Sequence, residues 1–171
     1  MLDGKYFEIL VELLAGGTPS QNGLVFLNNE DVYLSVIEGM EVAFEHPVIC
    51  AIPGFDHNAL SVASIPAFFA MKTLALLRRE ESKKSKDAYD IIYCLRNYLG
   101  GTTAIAIEYG NALESPRIWE GVARLTLLFN NINAAGPTAY STYRKNNDQR
   151  ELLKREAYER VQDLLRKLRE V

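Results

Sequence analysis

A chain of 171 residues, 48% apolar and 24% charged, has the composition of one ordinary soluble domain. No apolar run approaches the roughly 18 residues of a membrane span, and the first residues lack the basic-then-apolar layout of a secretory signal. Two cysteines 44 positions apart, Cys50 and Cys94, make no disulfide framework, so a cytoplasmic protein is expected.

The net charge of −3 is unevenly spread: residues 1–60 set nine acids against one base, Lys5, whereas residues 144–171 carry nine bases and six acids. An acidic first third could hold a metal ion, meet a basic partner or be a solvated surface.

In chain order, Lys5–Leu13 alternates Phe7, Ile9, Val11 and Leu13 with Tyr6, Glu8, Leu10 and Glu12, the period of two of a strand. Residues 16–23 form a turn cluster, and Leu24–Leu27 reads as a second, short strand. Leu34, Ile37, Met40, Ala43 and Phe44 keep helical spacing, which predicts a helix near 34–45 weakened by Gly39. Pro47–Ile52 and Ala59–Ile65 read as two more strands.

From residue 65 the texture is helical. Ser64 is placed as N-cap and Pro66 in the first turn of a helix over Ala67–Arg79. A charged link precedes a helix over Asp87–Leu99, stopped by Gly100-Gly101. Further helices are predicted near 103–113, 117–130, 137–144 and 149–170, the last with a stripe of Leu153, Ala157, Val161, Leu164, Leu168 and Val171. This is an α+β arrangement: a short N-terminal mixed β-sheet over 1–65 and a helical bundle over 66–171, packed together as one domain.

The helix from residue 67 is apolar in nearly every direction yet carries Lys72, with Arg79 seven positions on and so on the same side. A lysine there must snorkel, pair, or line a cleft facing phosphate or substrate. On the next helix Ala88, Ile91, Ile92, Leu95 and Leu99 make a core stripe, with Asp87 at its edge and Asp90 three positions on. Near a helix N-terminus both carboxylates are favoured by the dipole, and from the stripe's margin they can reach Lys72 or Arg79. The link between, residues 78–86, holds five bases in nine positions, which suits phosphate contacts or a solvated turn. His46, Cys50, His57 and Cys94 match no zinc spacing, and there is no G-x-S-x-G, P-loop or G-x-G-x-x-G.

The run Val62-Ala63-Ser64-Ile65-Pro66-Ala67-Phe68-Phe69-Ala70-Met71-Lys72, followed by Lys86-Asp87-Ala88-Tyr89-Asp90, resembles the second half of the AbiEii/AbiGii-type nucleotidyltransferases, of the polymerase-β-like nucleotidyltransferase superfamily. The resemblance implies that Lys72 contacts a nucleoside triphosphate. It also implies that Asp87 and Asp90 form a late acidic motif supported by Arg79, and that Glu8 (or Glu12) stands near the third metal-binding carboxylate. It implies Mg²⁺ and NTP as cofactors, an RNA or protein acceptor, and a toxin–antitoxin or phage-defence setting.

The sequence departs from that family in one respect. Two-metal phosphoryl transfer needs carboxylates that clamp Mg²⁺, which the family draws from a Gly-Ser turn and a D-x-D strand, and neither pattern occurs in these 171 residues. The expectation is therefore a nucleotidyltransferase fold that is catalytically incomplete unless a front portion is supplied. The alternatives are a non-catalytic interaction protein, pairing with another copy or an antitoxin-like partner, and a nucleic-acid binder using residues 78–86 and the basic tail. Overall acidity and the lack of interleaved aromatics count against the last.

Overall fold

The computed structural model describes residues 14–16, 24–26, 33–37, 39–51, 59–76, 79–112, 114–145 and 148–170. The strand read at Lys5–Leu13, and with it Glu8 and Glu12, lies outside the described residues. The chain forms two compact units, Met1–Glu41 and Val42–Val171.

In the first unit β3 (Tyr33–Ile37) lies between β1 (Leu14–Gly16) and β2 (Leu24–Phe26). It runs parallel to β1, with Leu14 opposite Ser35, and antiparallel to β2, with Leu24 also opposite Ser35. The sheet is therefore mixed, as expected. The helix predicted over 34–45 is not formed: its first half is β3 and its second a 3-10 turn at Met40–Phe44. Tyr33, Val36 and Ile37 are aromatic or β-branched and favour the pleat. Gly39, at φ 85°, then breaks the direction between the halves.

In the second unit β4 (Val48–Ala51) and β5 (Ala59–Val62) pair antiparallel, Val48 opposite Val62, with all eight residues exposed. Six helices follow: α1 (Ile65–Leu76), α2 (Glu81–Asn97), α3 (Gly101–Gly110), α4 (Pro116–Leu128), α5 (Ala135–Tyr143) and α6 (Arg150–Lys167). The α+β class holds. Helix α1 packs on α4 and α2, α5 fills the angle between α2 and α6, and α3 leans on α6. The predicted stripe on α6 is buried at Leu153, Ala157, Val161 and Leu164.

Two close approaches set the helices. A Cβ on Gly121 of α4 would lie 2.7 Å from the Ala70 Cα, so only glycine lets α4 sit this close to α1. At the same crossing the buried Thr73 hydroxyl donates within α1 to the Phe69 and Ala70 carbonyls and reaches the Gly121 carbonyl at 3.3 Å. Ser64 holds the N-cap position through its carbonyl, which accepts from the Phe68 N–H at 2.8 Å. Its hydroxyl is buried and makes no hydrogen bond among the described residues.

Three boundaries differ from expectation. Helix α1 stops at Leu76, so Arg79 stands in the connection rather than on the helix. Most of the supposed link is helix, since α2 begins at Glu81 and the Lys83–Lys86 stretch continues without a break into the stripe. Asp87 is therefore well inside α2, past the turn where the N-terminal dipole acts. Leu99 lies beyond the last turn of α2 and is 93% exposed, not part of the core stripe.

Candidate functional site

Helix α1 buries Pro66, Ala67, Phe69, Ala70, Thr73 and Leu76, which leaves Lys72 on the side turned toward α2. Across that gap, α2 buries Ala88, Ile91, Ile92 and Leu95, and Asp87 sinks with them to 1% side-chain exposure. A carboxylate so placed must be paired. Lys72 Nζ lies 2.9 Å from Asp87 Oδ1 and 2.6 Å from Asp90 Oδ2. The ammonium also stands 5.3 Å from the centre of the Phe68 ring, one turn back on its own helix.

Arg79 comes from the connection. Its Nη1 straddles Asp87, 3.2 Å from Oδ1 and 3.1 Å from Oδ2. Lys86 closes the outer edge, donating to Asp90 Oδ2 at 3.1 Å. Among the described residues three cations thus meet two carboxylates, one positive charge in excess, with the exposed Lys86 at the rim and Asp87 on the floor.

Burial by itself would push the Lys72 ammonium down, but the hydrogen bonds it donates to Asp87 and Asp90, with their charges, outweigh it and leave the group above the usual lysine value. The half-buried Cys94 shares this neighbourhood. Burial, then the Asp90 charge, pushes its thiol up against an opposing pull from Lys72, which disfavours the thiolate.

The donor set suits an anion and not a cation. Both Asp87 oxygens already accept from Lys72 or Arg79, and no three His, Cys, Asp or Glu side chains converge among the described residues. A Mg²⁺ ion does not fit between α1 and α2. A phosphate does, because Lys86 and half-exposed Arg79 offer spare donors on the outer side of a positively charged cluster.

The structure therefore brings together four of the five residues singled out in the sequence: Lys72, Arg79, Asp87 and Asp90. The fifth, Glu8, lies outside the described residues. Lys86 and Phe68 were not singled out, although their spacing carries the signal: Lys86 and Asp90, like Phe68 and Lys72, are four apart on one helix.

The site is thus a lysine clamped between two aspartates that stand three positions apart on the next helix. Over residues 21–168 the sequence matches the family described as Nucleotidyl transferase AbiEii toxin, Type IV TA system, and the chain belongs to that family. No curated protein and no solved structure matches it. No helix among the described residues is long and apolar enough to cross a membrane.

Proposed function

We propose that the α1–α2 cluster is the phosphate-facing half of a nucleotidyltransferase site in a cytoplasmic toxin whose partner is a cognate antitoxin. Lys72 contacts the triphosphate, Arg79 holds Asp87, and Asp87 with Asp90 fixes where the Lys72 ammonium points. Transfer to an RNA or protein acceptor would draw charge neutralisation from a Mg²⁺ ion, which the α1–α2 cluster does not itself hold. The carboxylates for it belong to a Gly-Ser…Asp-x-Asp element, in the same product or a second chain, with Glu8 as the third.

The observation that carries this reading is the placement of Lys72 Nζ between both aspartates, 2.9 and 2.6 Å away, on an otherwise apolar helix. Membership of the toxin family supports it. Equilibrium dialysis of the chain against labelled ATP, GTP, CTP and UTP tests it. Saturable binding to one of them, weakened at least about tenfold (some 1.4 kcal/mol) in Lys72→Gln, is the expected result. Absence of binding to all four overturns it. With Mg²⁺ and tRNA added, label transfer that disappears in Asp90→Ala would show the chain to be competent without the front element.

A second reading, a non-catalytic interaction protein, is favoured by the β4–β5 hairpin, whose Val48, Ile49, Leu60 and Val62 are all exposed. The same dialysis separates the two.

A further inference from the structure

Four tyrosines meet where α2 packs on α5. The buried Tyr140 of α5 stacks on Tyr89 of α2, with ring centres 6.3 Å apart and planes inclined by 14°. Tyr93, one turn further along α2, and Tyr143, at the end of α5, flank Tyr89 at 5.9 and 4.6 Å. Tyr140 and Tyr89 fill the crossing, whereas Tyr93 is 54% and Tyr143 38% exposed, so two rings of the cluster open onto solvent. The charges around them are mostly positive. Arg144 and Lys145 follow Tyr143 and are exposed, as is Arg96, three positions beyond Tyr93. The nearby acids are already held, Asp90 by Lys72 and Lys86, and Glu156 by Arg96 and Arg160. No Asp or Glu occurs from residue 91 to 107 or from 121 to 147, although the chain as a whole carries −3. No run of the sequence interleaves basic with aromatic residues, yet folding does so on this face.

We infer that the α2–α5 tyrosine face binds single-stranded nucleic acid, whose bases stack on Tyr93 and Tyr143 while its phosphates meet Arg144 and Lys145. An aromatic ring accepts any base of a single strand, because each has a free π-face; in a duplex both faces are taken. The platform is preorganised: Tyr89, held by Tyr140 below it, backs both outer rings, so little side-chain freedom is lost when a base arrives. Exposed aromatics beside an excess of cations match a polyanion that carries flat apolar plates. An acidic peptide supplies the charge but nothing for the rings. The inference goes beyond nucleotide transfer, since the strand is held by residues that the Lys72 cluster does not use. The two sites adjoin, because Lys86, Asp90 and Tyr93 follow one another on one side of α2 at steps of four and three residues.

Fluorescence anisotropy tests this with a labelled, unstructured RNA of about ten nucleotides, a DNA of the same sequence and the RNA's duplex, in about 50 mM salt without Mg²⁺ or nucleotide. One or both single strands should bind with micromolar Kd, the tighter marking the natural ligand, and the duplex at least about tenfold more weakly. Tyr93→Leu and Tyr143→Leu, which keep an apolar side chain without the ring, should each weaken binding about tenfold at unchanged circular dichroism. Arg144→Gln should lower the slope of log Kd against log salt by about 0.7. Lys72→Gln should bind the oligonucleotides as the wild type does even where it has lost nucleoside triphosphate, so failure here and failure of the Lys72 reading give different results. No binding by either single strand, equal affinity for the duplex, or wild-type affinity in either tyrosine variant each overturns the proposal. So does an unchanged salt slope in Arg144→Gln, or displacement by polyglutamate as effective as by unlabelled RNA.

Discussion

Lys72 Nζ is 2.9 Å from Asp87 Oδ1, and each side chain has a further partner, Asp90 for the lysine and Arg79 for the carboxylate. The lysine is 18% exposed on an apolar helix, and the carboxylate has sunk into the core stripe of the next one. Removing one partner from such a pair costs far more than the pair contributes.

Asp87→Ala should therefore destabilise by about 1–3 kcal/mol, since it removes one of the two carboxylates that hold Lys72 and the one that Arg79 straddles. Lys72→Met should cost less, because Arg79 still covers both Asp87 oxygens. Urea midpoints of the two variants and their double mutant check the ranking, and equal losses would contradict it.

At alkaline pH the molecule should weaken. Lys72 lies above its ordinary 10.5 in the fold, and a hydrogen bond to Glu108, aided by burial, raises the Tyr98 hydroxyl from 10.0 to about 12. Groups raised in the fold contribute stability that is complete below their unfolded values and lost as pH climbs through the folded ones. Thermal midpoints should fall between pH 10 and 12, and Tyr98→Phe should flatten part of the decline.

The acid side has a separate cause. Asp163 accepts from the Thr102 hydroxyl and from Lys167 and Arg166, and these contacts hold its carboxyl down from 3.8 to about 2. A depressed carboxyl contributes stability above its unfolded value that disappears as pH falls through the folded one. Unfolding followed between pH 4 and 2 should show this loss, smaller in Thr102→Val, whose Asp163 has lost its leading partner.

Gly121→Ala should cost about 1–3 kcal/mol, because the new methyl meets backbone at Ala70 and α4 must back away from α1. The adjacent Thr73–Gly121 contact would lengthen with it. A guanidinium midpoint equal to wild type would show that α1 and α4 are not in this contact.

Ser64→Ala should be neutral or stabilising by about 1 kcal/mol, against the usual loss when a capping serine is removed. The Ser64 hydroxyl is buried without a partner among the described residues, so its removal costs no bond seen there and relieves a desolvated group. A loss above about 1 kcal/mol would mean that it caps α1 after all.

Much of this was readable along the chain. The class, the order of the late helices and the α6 stripe follow from periodicity, because a 3.6 repeat maintained over several turns has few other solutions. The pairing of Lys72 with the aspartates was accessible too, since a charge on an apolar helix must find its counter-charge. The helix at 34–45 was misread because a few apolar residues at i, i+3 and i+6 satisfy the helical template even when a glycine at positive φ divides them. Arg79 was placed on α1 by extending the apolar run, whereas the helix stops at Leu76 and the side chain reaches Asp87 from outside it.

Local order thus settled which residues had to be buried and which charges had to be answered, since burial periodicity and the cost of a lone charge act within a helix. Which partner answers each charge was settled by packing alone. Whether Lys72 meets Asp87, Asp90 or solvent depends on how near α1 and α2 come together, and that nearness comes from contacts such as Thr73 on Gly121 and α5 against α2, between residues distant along the chain.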